Sequence, residues 1–302
     1  MITKFLKRIL RRDPMVKHTQ ANQTGAPKRI PKKSHRIDPH LLSKNAVKVT
    51  QTLQQAGYEA FIVGGAVRDL VLGIEPKDFD VATNATPDQV QRLFRKARLI
   101  GRRFQIVHVT FFGKGHPEII EVSTFRALLD NAGDHVAESG RILRDNVWGS
   151  QGEDAARRDF TINAMYYDPS TETVLDYHGG MADMQRKTLR MIGDPAKRYR
   201  EDPVRMLRAI RFAAKTGFSL DQNTRLPIAK LGKLLQDVPA ARLFDEILKL
   251  LMSGYSWAAI QGLQEVGLHH GLLPLLDQIL DDSENAIGAN AFVKLALANT
   301  DQ

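Results

Sequence analysis

Apolar positions along the first half of this chain alternate between two periods. Leu42, Ala46, Val49, Leu53 and Ala56 recur every three to four residues behind Asp38-Pro39, an N-cap with proline at the first helical position, and Gly57 closes the run. Residues 58–63 switch to a strand-like apolar run, 66–72 return to a short helix ended by Gly73, and 78–83 predict a second strand. Thr86-Pro87 caps another helix that extends to about Ala97. "FQIVHVTFF" and "PEIIEVSTF" flank Gly-Lys-Gly-His, the pattern of a β-hairpin. Residues 127–152 are polar and glycine-containing and predict a mobile loop. After "KTLRMIG" (187–193) strand-like runs cease, and from Pro203 onward helical periods alternate with short Gly/Pro/Asn breaks. No internal repeat interrupts this order. The pattern predicts an α+β domain over residues 37–193 and an all-helical domain over 194–302, behind a disordered tail, 1–36.

The length of 302 residues suits about two domains of roughly 150 residues each, and 43% hydrophobic residues suffice for a buried core. No apolar run approaches the roughly 20 residues a bilayer span needs, and no signal peptide is predicted. The absence of cysteine excludes thiolate zinc sites, iron–sulfur clusters and disulfides, and fits the reducing cytoplasm expected as the location. The net charge of +9 is lopsided: residues 1–36 hold eleven Lys/Arg and one acid, and the rest holds 32 against 33. The high pI therefore belongs to the tail, which predicts a disordered arm for a polyanion or, equally, a solvated extension. Ile2, Phe5, Leu6, Ile9 and Leu10 also fall at helical spacing among basic residues, so a membrane surface or a protein partner, such as an RNA-decay factor, is a further expectation.

Chemistry concentrates in "FIVGGAVRDLVLGIEPKDFDVATN", residues 61–84. Side chains two apart on a strand share a face, so Asp78 and Asp80 project together while Phe79 points to the core. Two such carboxylates repel unless a cation lies between them, and hard oxygen ligands suit Mg²⁺, with Mn²⁺ as a substitute. Gly64 and Gly65 let backbone N–H groups approach a triphosphate at a helix start, and Arg68 adds a guanidinium one turn later. A lone D-x-D is usually surface charge and a lone Gly-Gly usually a turn. The order strand, Gly-Gly, helix, strand with D-x-D is far more specific.

Two later stretches extend the pattern. "RRDFTINAMYYD" (157–168) sets Arg157 and Arg158 beside Asp159, which reads either as an ion-paired structural element or as a third carboxylate with a phosphate- or ribose-binding arginine. "EDPVRMLRAIRFAAKTG" (201–217) spaces Asp202, Arg205 and Arg208 by three, on one helix face. That spacing reads as ordinary salt bridging or as an edge able to read a base. No His-Asp dipeptide supports a phosphohydrolase, and no Walker A sequence supports P-loop chemistry.

Together "IVGGAVRDLVLG", "KDFDVAT", "EVSTFR", "RRDFTINAMYYD" and "EDPVRMLRAIRFAA" resemble the class II nucleotidyltransferases, the family of bacterial poly(A) polymerases and CCA-adding tRNA nucleotidyltransferases. "IGRRFQIVHV" and the basic leader are similar to the poly(A) polymerase branch. The resemblance implies a polymerase β-like head with a mixed sheet, followed by a helical neck and body. It implies that Asp78 and Asp80 bind metal and are catalytic, with Asp159 as the third catalytic carboxylate. Glu121, a competing third carboxylate, is assigned instead to positioning Arg126 or the loop. Gly64, Gly65 and Arg68 would contact the triphosphate, and Arg158, Asp202, Arg205 and Arg208 would line the nucleotide pocket.

The implied reaction is template-independent addition of AMP from ATP to RNA 3′ ends, serving RNA processing and decay, with no DNA partner expected. The alternatives are a CCA-adding enzyme and a non-catalytic RNA-binding protein on a transferase scaffold. The family's poly(A) polymerases continue past "LALANTDQ", and residues 216–302 hold ten Asp/Glu against six Lys/Arg, so weak primer binding is expected.

Overall fold

The apolar runs of the first 190 residues converge on one eight-stranded mixed sheet. A computed structural model describes residues 25–101, 105–113, 116–127, 147–270, 272 and 286–301. Most of the expected basic tail, the short basic helix near residue 6 and residues 128–146 of the predicted loop lie outside these residues; the end of that loop is ordered instead, with Trp148 bridged to Arg126 and Ser150 capping a helix from Gln151. In chain order the sheet strands are β1 (Lys28–Pro31), β2 (Ala60–Val63), β3 (Asp80–Thr83), β4 (Ala97–Ile100), β5 (Ile106–Phe111), β6 (Glu118–Thr124), β7 (Met165–Asp168) and β8 (Thr173–Asp176). Their spatial order is β1-β8-β7-β2-β3-β6-β5-β4, and β3 with β6 is the parallel pair. The head helices are α1 (Lys32–His35), α2 (Lys44–Gln55), α3 (Gly65–Val71), α4 (Pro87–Leu93), α5 (Gln151–Arg157) and α6 (Gly180–Gln185).

Both faces of the central strands are covered, so their residues alternate between two cores rather than between core and water. Ile62, Val81 and Tyr167 join the large core with α2 and α3. Val63, Ala82 and Tyr166, each one residue away, join a smaller cluster with Phe125, Ala155 and Leu175. Beyond residue 193 follow α7 (Pro195–Glu201), α8 (Val204–Thr216), α9 (Gln222–Leu231), α10 (Ala240–Leu251), α11 (Ser256–Glu265) and α12 (Ala286–Thr300). Among the described residues no helix is long and apolar enough to cross a membrane.

The observed elements correct several expectations. The helix expected from Asp38 is broken: Asp38 caps only a 3₁₀ turn, Pro39–Leu41, and Ser43 starts α2 afresh by accepting from the Asn45 and Ala46 N–H groups. The helix expected to reach Ala97 stops at Leu93, and Ala97–Ile100 forms an edge strand whose exposed side chains carry no alternation. Strands also do not cease at residue 193. β9 (Thr188–Leu189) pairs in parallel with β10 (Ser219–Leu220), joining the head to the helical part.

The basic segment 1–36 is likewise not wholly a disordered tail. Lys28–Pro31 pairs antiparallel with β8, burying Ile30. His35 is also buried, its Nδ1 accepting from the Ile37 N–H, which leaves Nε2 to donate to the Glu172 carbonyl at 2.9 Å. Its ring meets Tyr167 edge-on at 5.7 Å. One buried isoleucine among basic neighbours was too weak a period to read as a strand. Ile30→Ala should therefore lower stability by about 2 kcal/mol, the low end for truncating a buried isoleucine. Urea melts of both proteins measure this, and an unchanged midpoint would mean that β1 adds nothing to the fold.

Candidate active site

The turn between β2 and α3 is made by Gly64 and Gly65. Gly64 has φ 73° and ψ −134°, a conformation open only to glycine. A Cβ there would lie 3.4 Å from Arg158 Nη1 and 3.8 Å from Asp80 Oδ2. Gly64 thus keeps open the gap between a carboxylate and a guanidinium.

The strand expected over 78–83 begins two residues late: Asp80 opens β3, and Asp78 lies just before it, outside any strand. Phe79 is buried, Asp78 exposed and Asp80 half-buried. On the parallel neighbour β6, Glu121 is in register with Asp80 and so shares its face. Burial pushes the Asp80 carboxyl up to about 6, the Glu121 and Asp78 charges add to the rise, and Arg158 opposes it. A carboxylate raised by its own neighbours fits a divalent cation. Among the described residues no three carboxylate or imidazole groups form a ready metal cage.

Asp159, expected as the third catalytic carboxylate, is engaged on both oxygens. Its Oδ2 accepts from Arg208 Nε at 2.9 Å and Nη2 at 2.6 Å, and its Oδ1 from the Phe160 N–H and Asn163 Nδ2. Four donors exhaust a carboxylate's acceptor sites. Burial alone would raise its pKa, but Arg208 and these bonds hold it down to about 2. The residue facing Asp80 is Glu121, which also lies 3.2 Å from His108 Nε2. The Arg126 backbone N–H donates to Asp154.

Arg68 is likewise withdrawn from triphosphate contact. It is 2% exposed, bonded through Nε to Asp69 and through Nη1 to Asn163, and stacked 5.2 Å from the Phe212 ring centre. Arg208 and Arg211 face the same ring at 5.2 and 4.6 Å. Lys215 bridges back to Asp69 at 3.0 Å, and Glu246 lies within 4 Å of Arg208 and Arg211. Arg208 is thus a tie between head and helices through Asp159 rather than a free pocket residue.

Arg158, Asp202 and Arg205 are each anchored by neighbouring side chains. Arg158 is held by Asp154 and Tyr166, leaving Nη1 beside Gly64. Asp202 lies between α7 and α8, where its Oδ2 accepts from Arg242 at 2.7 Å and its Oδ1 is buried with no hydrogen-bond partner. The Arg205 side chain is bonded to Glu201 and the Arg198 carbonyl, while its backbone N–H donates to the Asp202 carbonyl at 3.1 Å. Arg198 also donates to the carbonyls of Arg157 and Arg158, and burial and the Arg205 charge push it down to about 10. Sequence reasoning missed Asp154, Asn163, Tyr166 and Arg198. The i,i+4 spacing of Asp154 and Arg158 was the one local signal.

A mixed sheet that sets two carboxylates opposite a Gly-Gly turn, with a helical domain closing one side, defines a nucleotidyltransferase head. The family model for the poly(A) polymerase head domain matches residues 60–190, and that for a probable RNA- and SrmB-binding site of polymerase A matches 217–280. Poly(A) polymerase I of Salmonella typhimurium is 46% identical over 308 residues, covering 99% of this chain and 64% of that protein. Poly(A) polymerase I of Haemophilus influenzae is 48% identical over 271 residues, covering 88% and 59%. The crystal structure of the Bacillus stearothermophilus CCA-adding enzyme in complex with CTP is 35% identical with a TM-score of 0.66, over 78% of this chain and 55% of that one. The chain belongs to the class II nucleotidyltransferase family of poly(A) polymerases and CCA-adding enzymes, and spans about two thirds or less of the length of these relatives.

Two predictions follow from the contrasting carboxylates. Because the folded protein raises the Asp80 pKa, its ionisation costs stability as pH rises through about 6, and the cost vanishes below the unfolded value near 4. Asp80→Asn should therefore stabilise the fold by about 1–2 kcal/mol at pH 7.5, allowing for partial exposure, and by almost nothing at about pH 3. Equal melting shifts at both pH values would remove the charge argument. For Asp159 the sign is opposite: its depressed pKa gives stability present above about 4 and lost as pH falls toward 2. Arg208→Met, which strands that carboxylate, should cost about 2–4 kcal/mol at neutral pH, and less as the medium is acidified.

Proposed function

We propose that this chain adds AMP from ATP to RNA 3′ ends without a template, releasing pyrophosphate. The observation that carries the reading is the gap bounded by Asp80, Gly64 and Arg158 Nη1, an acidic wall and a basic wall held apart by a residue with no side chain. The 46% identity to a poly(A) polymerase over nearly the whole chain supports AMP as the transferred group. Asp78 and Asp80, with Glu121 adjacent, would hold Mg²⁺, or Mn²⁺ in its place. Such an ion, when bound, activates the attacking 3′ oxygen and neutralises charge on the leaving pyrophosphate. The 3′ oxygen attacks the α-phosphorus in line, the bond to the pyrophosphate oxygen breaks, and pyrophosphate leaves with the electron pair. Gly64 and Gly65 let the triphosphate approach the start of α3, and Arg158 Nη1 supplies a positive charge.

Asp202 Oδ1 is the acceptor best placed to read a base, since a buried oxygen without a donor is costly until something supplies one. Arg205 stands in the first turn of α8, close behind it. A CCA-adding reading is favoured by the CTP-bound relative, which shares this fold. Labelled NTPs offered singly, with Mg²⁺ and either poly(A) or a tRNA lacking its CCA end, separate the two. A-tracts on both primers are expected. Two C and one A on tRNA alone would establish the other reading, and no incorporation with any NTP would dismiss both.

Base reading has its own test. Asp202→Asn keeps the volume but exchanges an acceptor for a donor, so the ATP-to-CTP ratio of kcat/KM should change by about tenfold or more, within the 1–3 kcal/mol of a good base contact. An equal loss for all four NTPs would assign Asp202 to structure alone.

A further inference from the structure

Tyr166 is fully buried at the centre of the smaller core cluster. Its ring meets Phe61 at 6.2 Å, Phe125 at 6.3 Å and Tyr177 at 6.2 Å, each near-perpendicular. Three edge contacts on one ring leave it little freedom. Its hydroxyl donates to Asp154 Oδ2 at 2.6 Å. Arg158 Nε donates to the same hydroxyl at 3.2 Å and to Asp154 Oδ2 at 3.3 Å, and Nη2 donates to that oxygen at 3.0 Å.

Asp154 is itself fixed, its Oδ1 accepting from the Arg126 N–H at 3.3 Å. The Arg158 ring contact adds to this, with the guanidinium carbon 5.2 Å from the Tyr166 centroid. One edge of the guanidinium is therefore clamped by two groups mounted on a packed aromatic core. The opposite edge, Nη1, lies against the Gly64 gap across from Asp80. A purely structural ion pair needs neither a second clamp nor a glycine opposite it.

We infer that Asp154 and Tyr166 are positioning residues that aim Arg158 Nη1 into the gap between Gly64 and Asp80, where it meets a phosphate oxygen of the bound nucleotide. This rests on the nucleotidyl-transfer reading above. A planar guanidinium held along one edge presents its remaining donors in a fixed direction, so orientation rather than charge alone is what the clamp supplies.

The experiment is equilibrium binding of ATP and of adenosine to the full chain, which is independent of turnover. Tyr166→Phe keeps the ring and deletes the hydroxyl. It should weaken ATP binding about tenfold, the scale of one oriented charge-assisted hydrogen bond, and leave adenosine binding unchanged. In the Arg158→Ala background the same substitution should have no further effect on ATP. Asp154→Asn, also isosteric, tests the clamp from the carboxylate side should Tyr166→Phe melt below the assay temperature. Equal weakening of ATP and adenosine, or losses that multiply in the double variant, would overturn the assignment. A chain that binds ATP as described yet incorporates no AMP would instead count against the transfer reaction and leave the clamp standing.

Discussion

The bond between Asp159 and Arg208 is the constraint on which the relation of head to helices depends. Asp159 sits in the loop before β7, and Arg208 sits on α8 in the helical part. A carboxylate buried there is tolerable only because four donors surround it, and two of them come from across the domain boundary. Around it the other charges fall into place. Arg68 is packed between Asp69, Asn163 and Phe212, and Lys215 closes the circuit to Asp69. This is a network with nearly every named member satisfied, which specifies one arrangement of the sheet and the later helices rather than many.

The contrast with Asp80 is informative. Both carboxylates are withdrawn from water, but one is surrounded by donors and the other by fellow anions. The first has nothing left to offer a ligand. The second remains short of positive charge in the folded protein, with Arg158 alone set against it. Within one fold, the number of donors around a carboxylate thus separates architecture from chemistry, although the two residues look alike as letters.

That difference also marks what was legible beforehand. The i,i+2 placement of Asp78 and Asp80 and the need for glycine at residue 64 are local properties, and local periodicity exposed them. Glu121 ranks below Asp159 in the sequence because the family motif centres on Asp159; its place beside Asp80 arises from pairing of strands 41 positions apart, which no local pattern encodes. Asp159 drew attention because two arginines adjoin it, yet its actual partner lies 49 residues downstream. Arg68 looked like a phosphate contact one turn into a helix, and only the arrival of Phe212 from α8 buries it. Residues 28–31 were hidden by their own charge, since a strand at a sheet edge needs only one inward side chain.

The two-residue pairing of β9 with β10 bears on how the cleft can move. It lies on the same boundary that Arg198 spans when it grips the carbonyls at the end of α5. Backbone bonds on one side and a guanidinium on the other bracket the connection near residue 194, where a hinge would otherwise be free to swing. The start of α8, which carries Arg205 just behind Asp202, is thereby tied to the sheet from two sides.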